Sequence, residues 1–299
     1  MNSNFRTDLA LEAQEIWSED KGASALRGVS SSSSHRGSIS VTTVDILDAE
    51  GEAALGKPRG RYITVELDGF VRREENAFDD ACSLISEELS ALIAPDDGGD
   101  VLVAGLGNRD ITPDAVGPEC VGSVMVTRHL KERMPDEFRA FRSVSAVCTG
   151  VLGTTGMESQ SLLQAVAQQV RPGFIIAVDA LASRSTDRLC RTIQISDTGI
   201  VPGSGVGNAR EALNRQTLGV PVIAIGVPTV VDAGTLAAGL ARDVGISLDA
   251  AAMGASAGMI VTTRDIDKNV KDISRLIGYS INLALHKNLR IEDVNMFIS

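Results

Sequence analysis

Hydrophobic and polar positions follow two different rhythms along this chain. From residue 101 onward, short apolar runs end in glycine-rich or polar turns, and stretches with apolar residues at helical spacing follow them. The runs predict strands at 101–104, 143–147, 174–178, 192–195, 221–225 and 259–262, and helices near 113–133, 158–170, 208–216 and 265–285. Such alternation predicts an α/β fold, a mainly parallel sheet flanked by helices on both faces. Upstream, residues 38–46 and 61–67 are β-branched and alternating, which predicts a small antiparallel β-rich insertion at about 38–70. Residues 76–93 set Phe78, Cys82, Ile85, Leu89 and Leu92 at helical spacing, ending before Pro95 and a turn at 96–99. The serine-rich stretch 28–37 predicts a flexible exposed loop, and residues 1–8 a short polar segment that can detach from a single domain at 9–299.

Composition narrows the function classes. A 43% hydrophobic content over 299 residues supplies a large core. No run approaches the ~20 apolar residues of a membrane span, and the acidic N-terminal region, with Asp8, Glu12 and Glu15, lacks the basic and apolar regions of a signal peptide. A cytoplasmic location is expected. The net charge of −11 opposes direct contact with nucleic acid or anionic membranes. Cys82, Cys120, Cys148 and Cys190 form no CxxC pair and His35, His129 and His286 are far apart, so buried thiols are expected rather than a zinc site or disulfides. Were a cysteine the nucleophile, Cys148 at the end of an apolar-rich segment would be the candidate, but no histidine carries a matching motif.

Two aspartates stand where a parallel sheet does its chemistry. Asp114 follows the run at 101–106 and its glycine turn, and Asp179 ends the run at 174–178, both at the strand edge where open α/β sheets bind ligands. Carboxylates at neighbouring strand ends can share a water, the arrangement of acid–base hydrolysis. Thr112, Pro113 and Asp114 read as N-cap, first and second helical residues, which favours an ionised Asp114 whether or not it is catalytic. Asp179 needs a partner to offset its burial, either a proton shared with Asp114 or a turn contact or pairing with Arg184. Asp232 is a third strand-end carboxylate, better read as a helix cap before Gly234 and Thr235. Neither Gly105-x-Gly107 nor Gly203–Gly207 completes a dinucleotide fingerprint, since Asp110 occupies the third glycine position of the first and Asn208 or Arg210 that of the second. These glycines either permit tight turns or shape a substrate groove.

The motif wording goes further. Gly105-Leu-Gly-Asn108, Thr112-Pro-Asp-Ala115, Gly150-Val-Leu-Gly-Thr-Thr-Gly-Met-Glu158, Val178-Asp-Ala-Leu-Ala-Ser-Arg184, the run from Asp197 to Asn208 and Gly226-Val-Pro-Thr-Val-Val-Asp232 resemble, in order, the germination proteases of spore-forming bacteria. The resemblance runs from Arg6 to His286. It implies an endopeptidase that starts the degradation of small acid-soluble spore proteins during germination, in the cytoplasm of the spore core, with Asp114 and Asp179 catalytic. It implies supporting roles for Asn108, Thr154, Thr155, Glu158 and Arg184, for which turn and cap duty is the plain alternative. It also implies a zymogen, a homotetramer, no cofactor, and a three-layer fold similar to hydrogenase maturation proteases. Those enzymes use a metal-binding histidine that has no counterpart motif here, so no obligatory metal is expected. Family members cut after an acidic residue and before a large apolar residue and alanine; Asp8-Leu9-Ala10 has that form, which implies self-cleavage between Asp8 and Leu9. The alternatives are a metal-dependent processing peptidase of the hydrogenase type and a noncatalytic nucleotide-binding protein.

Overall fold

A computed structural model describes residues 6–21, 26–93, 99–246 and 258–298. Among these, nine strands make one sheet: β1 Val29–Arg36, β2 Ile39–Ile46, β3 Gly60–Glu66, β4 Val101–Leu106, β5 Val144–Gly150, β6 Phe174–Ser183, β7 Thr192–Ser196, β8 Val222–Asp232 and β9 Ile260–Val261. The order is β1-β2-β3-β7-β8-β6-β4-β5, with β9 on the end of β8. Strands β8, β6, β4 and β5 run parallel, as the strand–helix alternation predicts. The antiparallel addition is continuous with them, because β7 pairs antiparallel with both β8 and β3 and carries β2 and β1 beyond.

The alternating side chains give this sheet two unlike faces. On one, Val101, Val103, Phe174, Ile176, Val178, Ile193, Ile195, Ile223 and Ile225 join a single core with the helices Ala77–Leu92 and Ile266–Leu285. On the other, apolar packing is split in two. One cluster lies under the helix Ser159–Val170 and contains Leu102, Ala104, Ile175 and Ala177; the other lies under the helix Ala10–Lys21 and contains Val44, Ile46 and Tyr62. Between the two clusters the cross-strand partners form a polar row, Thr64, Gln194, Gly226 and Asp179, on β3, β7, β8 and β6. Residues directly opposite one another share a face. Asp179 and Gln194 lie in the gap between the two clusters.

Several expectations need correction. The stretch 28–37 is no loop: β1 pairs along its whole length with β2, and its serines face solvent. Backbone pairing suffices for an edge strand, whatever the side chains. The helix expected at 113–133 is broken into a 3-10 turn Thr112–Asp114 and helices Val116–Val121 and Arg128–Arg133. The buried Asn282 side chain holds the intervening chain out of helix, accepting from the Met125 N–H and donating to the Ser123 carbonyl, each at 2.8 Å. Only Arg215–Leu218 is helical in the segment expected to be a helix at 208–216, because 199–213 folds back on itself through the Ile200–Leu213 bridge. The helix Ala10–Lys21 has no counterpart among the predicted elements. Most of the turn at 96–99, and residues 1–5 of the terminal segment, lie outside the described residues.

Candidate active site

The backbone brings Asp114 over the end of the sheet through glycine. Gly107, at φ 104°, lies so close to the turn that a Cβ there would collide with the Asp114 carbonyl oxygen. The turn is pinned from the other side by Thr229 Oγ1, which donates to the Pro113 carbonyl at 2.7 Å. Thr112 is part of this 3-10 turn rather than its cap, and no side chain caps it. The Asp114 carboxylate accepts from the Asn108 N–H at 2.8 Å. Burial raises its pKa and the Asn108 hydrogen bond partly opposes the rise, so the ionising effect expected of a helix N-terminus does not dominate.

Asp179 lies deeper, 4% exposed, and accepts from the Ala180 N–H at 2.9 Å. Burial first, and the charge of Asp114 second, hold its carboxyl well above the usual range. Both aspartates line one cavity of about 430 Å³ with Leu106, Asn108, Glu158 and Asp8. Among the described residues neither aspartate is in an ion pair. Two carboxyls of unequal burial on one cavity titrate apart, the deeper holding its proton to higher pH.

Asp8 is the residue whose position the sequence did not reveal. Its carboxylate accepts from the Ala182 N–H at 2.9 Å and from the Ser204 hydroxyl, and its own N–H donates to the Ala182 carbonyl at 2.9 Å. Gly205 lies against that carboxylate, where a Cβ would collide with it. The glycine run 203–207 thus shapes the cavity wall. Lys57, its pKa lowered by burial and supported by the charges of Asp8 and Glu12, donates to the Thr7 carbonyl at 3.2 Å. Leu9 is fully buried, and residues 6–8 are anchored rather than loose.

Of the other sequence-derived site residues, Asn108 and Glu158 line the cavity, and Glu158 pairs with Arg210 at 3.6 Å. Thr154 and Thr155 do not line it; their hydroxyls donate to the Val151 carbonyl and shape the adjoining loop. Arg184 also lies outside the lining, its guanidinium held by Glu19 at 2.9 Å, not by Asp179. Asp232 caps the helix Ala233–Asp243, accepting from the Thr235 N–H at 2.9 Å. Cys82, Cys120 and Cys190 are buried as expected, but Cys148 is exposed, and burial of its sulfur region pushes its thiol up, away from the thiolate a nucleophile needs. Among the described residues no three His, Cys, Asp or Glu side chains group as metal ligands, and no helix is long and apolar enough to cross a membrane.

Comparison with known proteins defines the class first: this is an α/β endopeptidase, because the family model described as germination protease matches residues 8–242. Curated germination proteases are similar along nearly the whole chain. That of Clostridium perfringens is 39% identical over 326 aligned residues, covering 99% of each chain. The Clostridium tetani protein is 40% identical, covering 99% of this chain and 100% of its own, and that of Caldanaerobacter subterraneus is 41% identical, covering 98% of each. The chain belongs to the germination protease family. A solved structure, the NiFe hydrogenase maturation protease HycI of Thermococcus kodakarensis, is similar at a TM-score of 0.36 and 16% identity, over 65% of this chain and 98% of that one.

Proposed function

We propose that Asp114 and Asp179 act as one acid–base unit that hydrolyses peptide bonds of small acid-soluble spore proteins in the spore core at germination. What supports this reading is one observation above the rest: two buried carboxyls with unequal proton affinities line the same cavity as Asp8, an acidic residue of the chain itself. Asp114, the less strongly shifted of the two, takes a proton from water. The water oxygen bonds to the peptide carbonyl carbon, and Asp179 gives its proton to the carbonyl oxygen. Collapse of the tetrahedral diol then breaks the C–N bond and returns a proton to the leaving nitrogen. Asn108 and Glu158 contribute to the wall, while Thr154, Thr155 and Arg184 support the site from outside the lining. The unit of action is a homotetramer.

The chain is made as a zymogen and cuts itself between Asp8 and Leu9. Asp8 occupies the cavity, and its removal frees the Ala182 N–H and Ser204 for an incoming acidic residue. Intact-mass measurement before and after activation tests this: the expected loss is residues 1–8, absent in Asp179→Asn when no other protease is added. A mature chain beginning elsewhere, or normal processing by Asp179→Asn, overturns the self-cleavage reading.

A further inference from the structure

Gln194 is a polar side chain, 8% exposed, in the middle of a strand whose other face is apolar core. Both ends of its amide are engaged by one short piece of chain. Oε1 accepts from the Ala10 N–H at 2.7 Å, and Nε2 donates to the Asp8 carbonyl at 3.3 Å. The orientation of the amide is fixed by chemistry, since an N–H can only donate and a carbonyl can only accept. In an extended chain the carbonyl before a residue and the N–H after it point the same way, so one amide can stand in for a neighbouring strand. Gln194 thus grips the backbone on both sides of Leu9 without reading a side chain.

Its place in the sheet gives that grip a direction. Gln194 and Asp179 are both direct partners of Gly226, one from each side, so they share a face in a single row across β7, β8 and β6. The middle position has no side chain, and Leu181 fills the space a Cβ would take. Asp8 bridges the row, tied to Gln194 by its carbonyl and to Ala182 on β6 by its N–H and carboxylate.

We infer that Gln194 is a substrate-gripping residue: its Nε2 holds the carbonyl of the bond to be cut, first that of Asp8 and then, once residues 1–8 have left, that of the substrate. The substrate's acidic, apolar and alanine residues then take the places of Asp8, Leu9 and Ala10, displacing the processed terminus from the amide, so that Nε2 takes the carbonyl before the apolar residue and Oε1 the N–H after it. This rests on the proposed Asp8–Leu9 junction and aspartate pair. A donor fixed in advance on a carbonyl that gains negative charge favours the transition state over the ground state.

The test uses full-length chains carrying Gln194→Glu or Gln194→Met, brought to the processed form with a trace of tagged wild-type enzyme that is then removed. Hydrolysis of a synthetic peptide of residues 3–13 is followed. Loss of the donor is expected to lower kcat by about tenfold to a hundredfold, with a smaller change in KM. Gln194→Glu regains a donor when its new carboxyl is protonated, so its activity relative to wild type climbs as the pH is lowered from about 7 to about 5. If the residue only anchors the Ala10–Lys21 helix, both variants lose thermal stability, yet kcat and its pH profile match wild type; that result overturns the inference. Should Gln194→Met fail to fold, the near-isosteric Gln194→Glu decides. Asp179→Asn on the same peptide separates the claims: an active Asp179→Asn sinks the aspartate pair, whereas an inactive one beside wild-type-like Gln194 variants sinks only the role of Gln194.

Discussion

The parallel and antiparallel halves of the sheet contribute different chemistry to one site. In the parallel half, the turn after β4 supplies Asp114 and β6 itself supplies Asp179, two carboxyls whose proton affinity burial raises. The antiparallel half supplies amides and a seat for a peptide: Gln194 on β7 meets residues 8–10, and the helix that follows them packs above β2 and β3. One half carries the proposed reactive groups, Asp179 within β6 and Asp114 on the turn beyond β4; the other carries a proposed binding group on β7, and strand alternation sets Asp179 and Gln194 in one row. A continuous sheet lets each be optimised separately while their spacing stays fixed.

The largest stability effect is expected where the seat is tied to the parallel half. The Glu12 carboxylate is fully buried, accepts from the Arg184 N–H at 2.6 Å, the Ser185 N–H at 3.1 Å and the Thr7 hydroxyl, and pairs with Arg188 at 3.2 Å. Glu12→Ala leaves the two backbone N–H groups and the Thr7 hydroxyl without their acceptor, and Arg188 with Glu15 alone, and should cost about 3–5 kcal/mol. Denaturant unfolding measures it, and a cost below about 1 kcal/mol would mean that the Ala10–Lys21 helix is held some other way. Gly226→Ala sharpens the comparison at the seam itself. Its Cβ displaces Leu181 toward the cavity, with an expected loss of about 1–3 kcal/mol and lower activity.

In the parallel half a pH effect centres on Asp179. In the folded protein Asp179 keeps its proton above the pH of about 3.9 at which an unfolded aspartate ionises, so the folded state binds more protons over that interval. Its contribution to stability therefore falls as pH rises from there through the folded pKa. Asp179→Asn lacks this loss, and the stability gap in its favour should widen between about pH 4 and the folded pKa; a gap independent of pH would contradict the raised pKa. The smallest effect is expected at Cys148, exposed on β5 and away from the cavity, where Cys148→Ser should change stability by less than about 0.5 kcal/mol and leave cleavage intact.

The parallel half was more legible in the sequence than the antiparallel half. The apolar runs at 101–106 and 174–178 mark strands by themselves, and the aspartates after them, Asp114 and Asp179, stand out without a structure, although β6 runs on through Asp179 to Ser183 instead of ending there. In β7 the pattern Thr192-Ile-Gln-Ile-Ser196 shows an alternating strand but not what covers its polar face, which is buried, with the Gln194 amide bonded to residues 8–10. No local signal reports such a cover. Strand β1 was hidden because an edge strand can be held by its ladder alone, with five consecutive serines and little burial. The break after Val121 depends on Asn282, more than 150 positions away, as its bond to Met125 spans 157 residues. Arg184 looked available to Asp179 because Glu19, its actual partner, lies in a helix the pattern did not reveal.

The central claim is that the two carboxyls work as a unit, and the most direct measurement is peptide hydrolysis by Asp114→Asn, Asp179→Asn and the double variant. Each substitution keeps shape and removes proton exchange. The expected result is a fall in kcat of about a thousandfold or more for either single change, with the double variant scarcely worse, because half of an acid–base pair does little alone. Either folded single variant retaining near-wild-type turnover, or losses that simply multiply in the double variant, would contradict it.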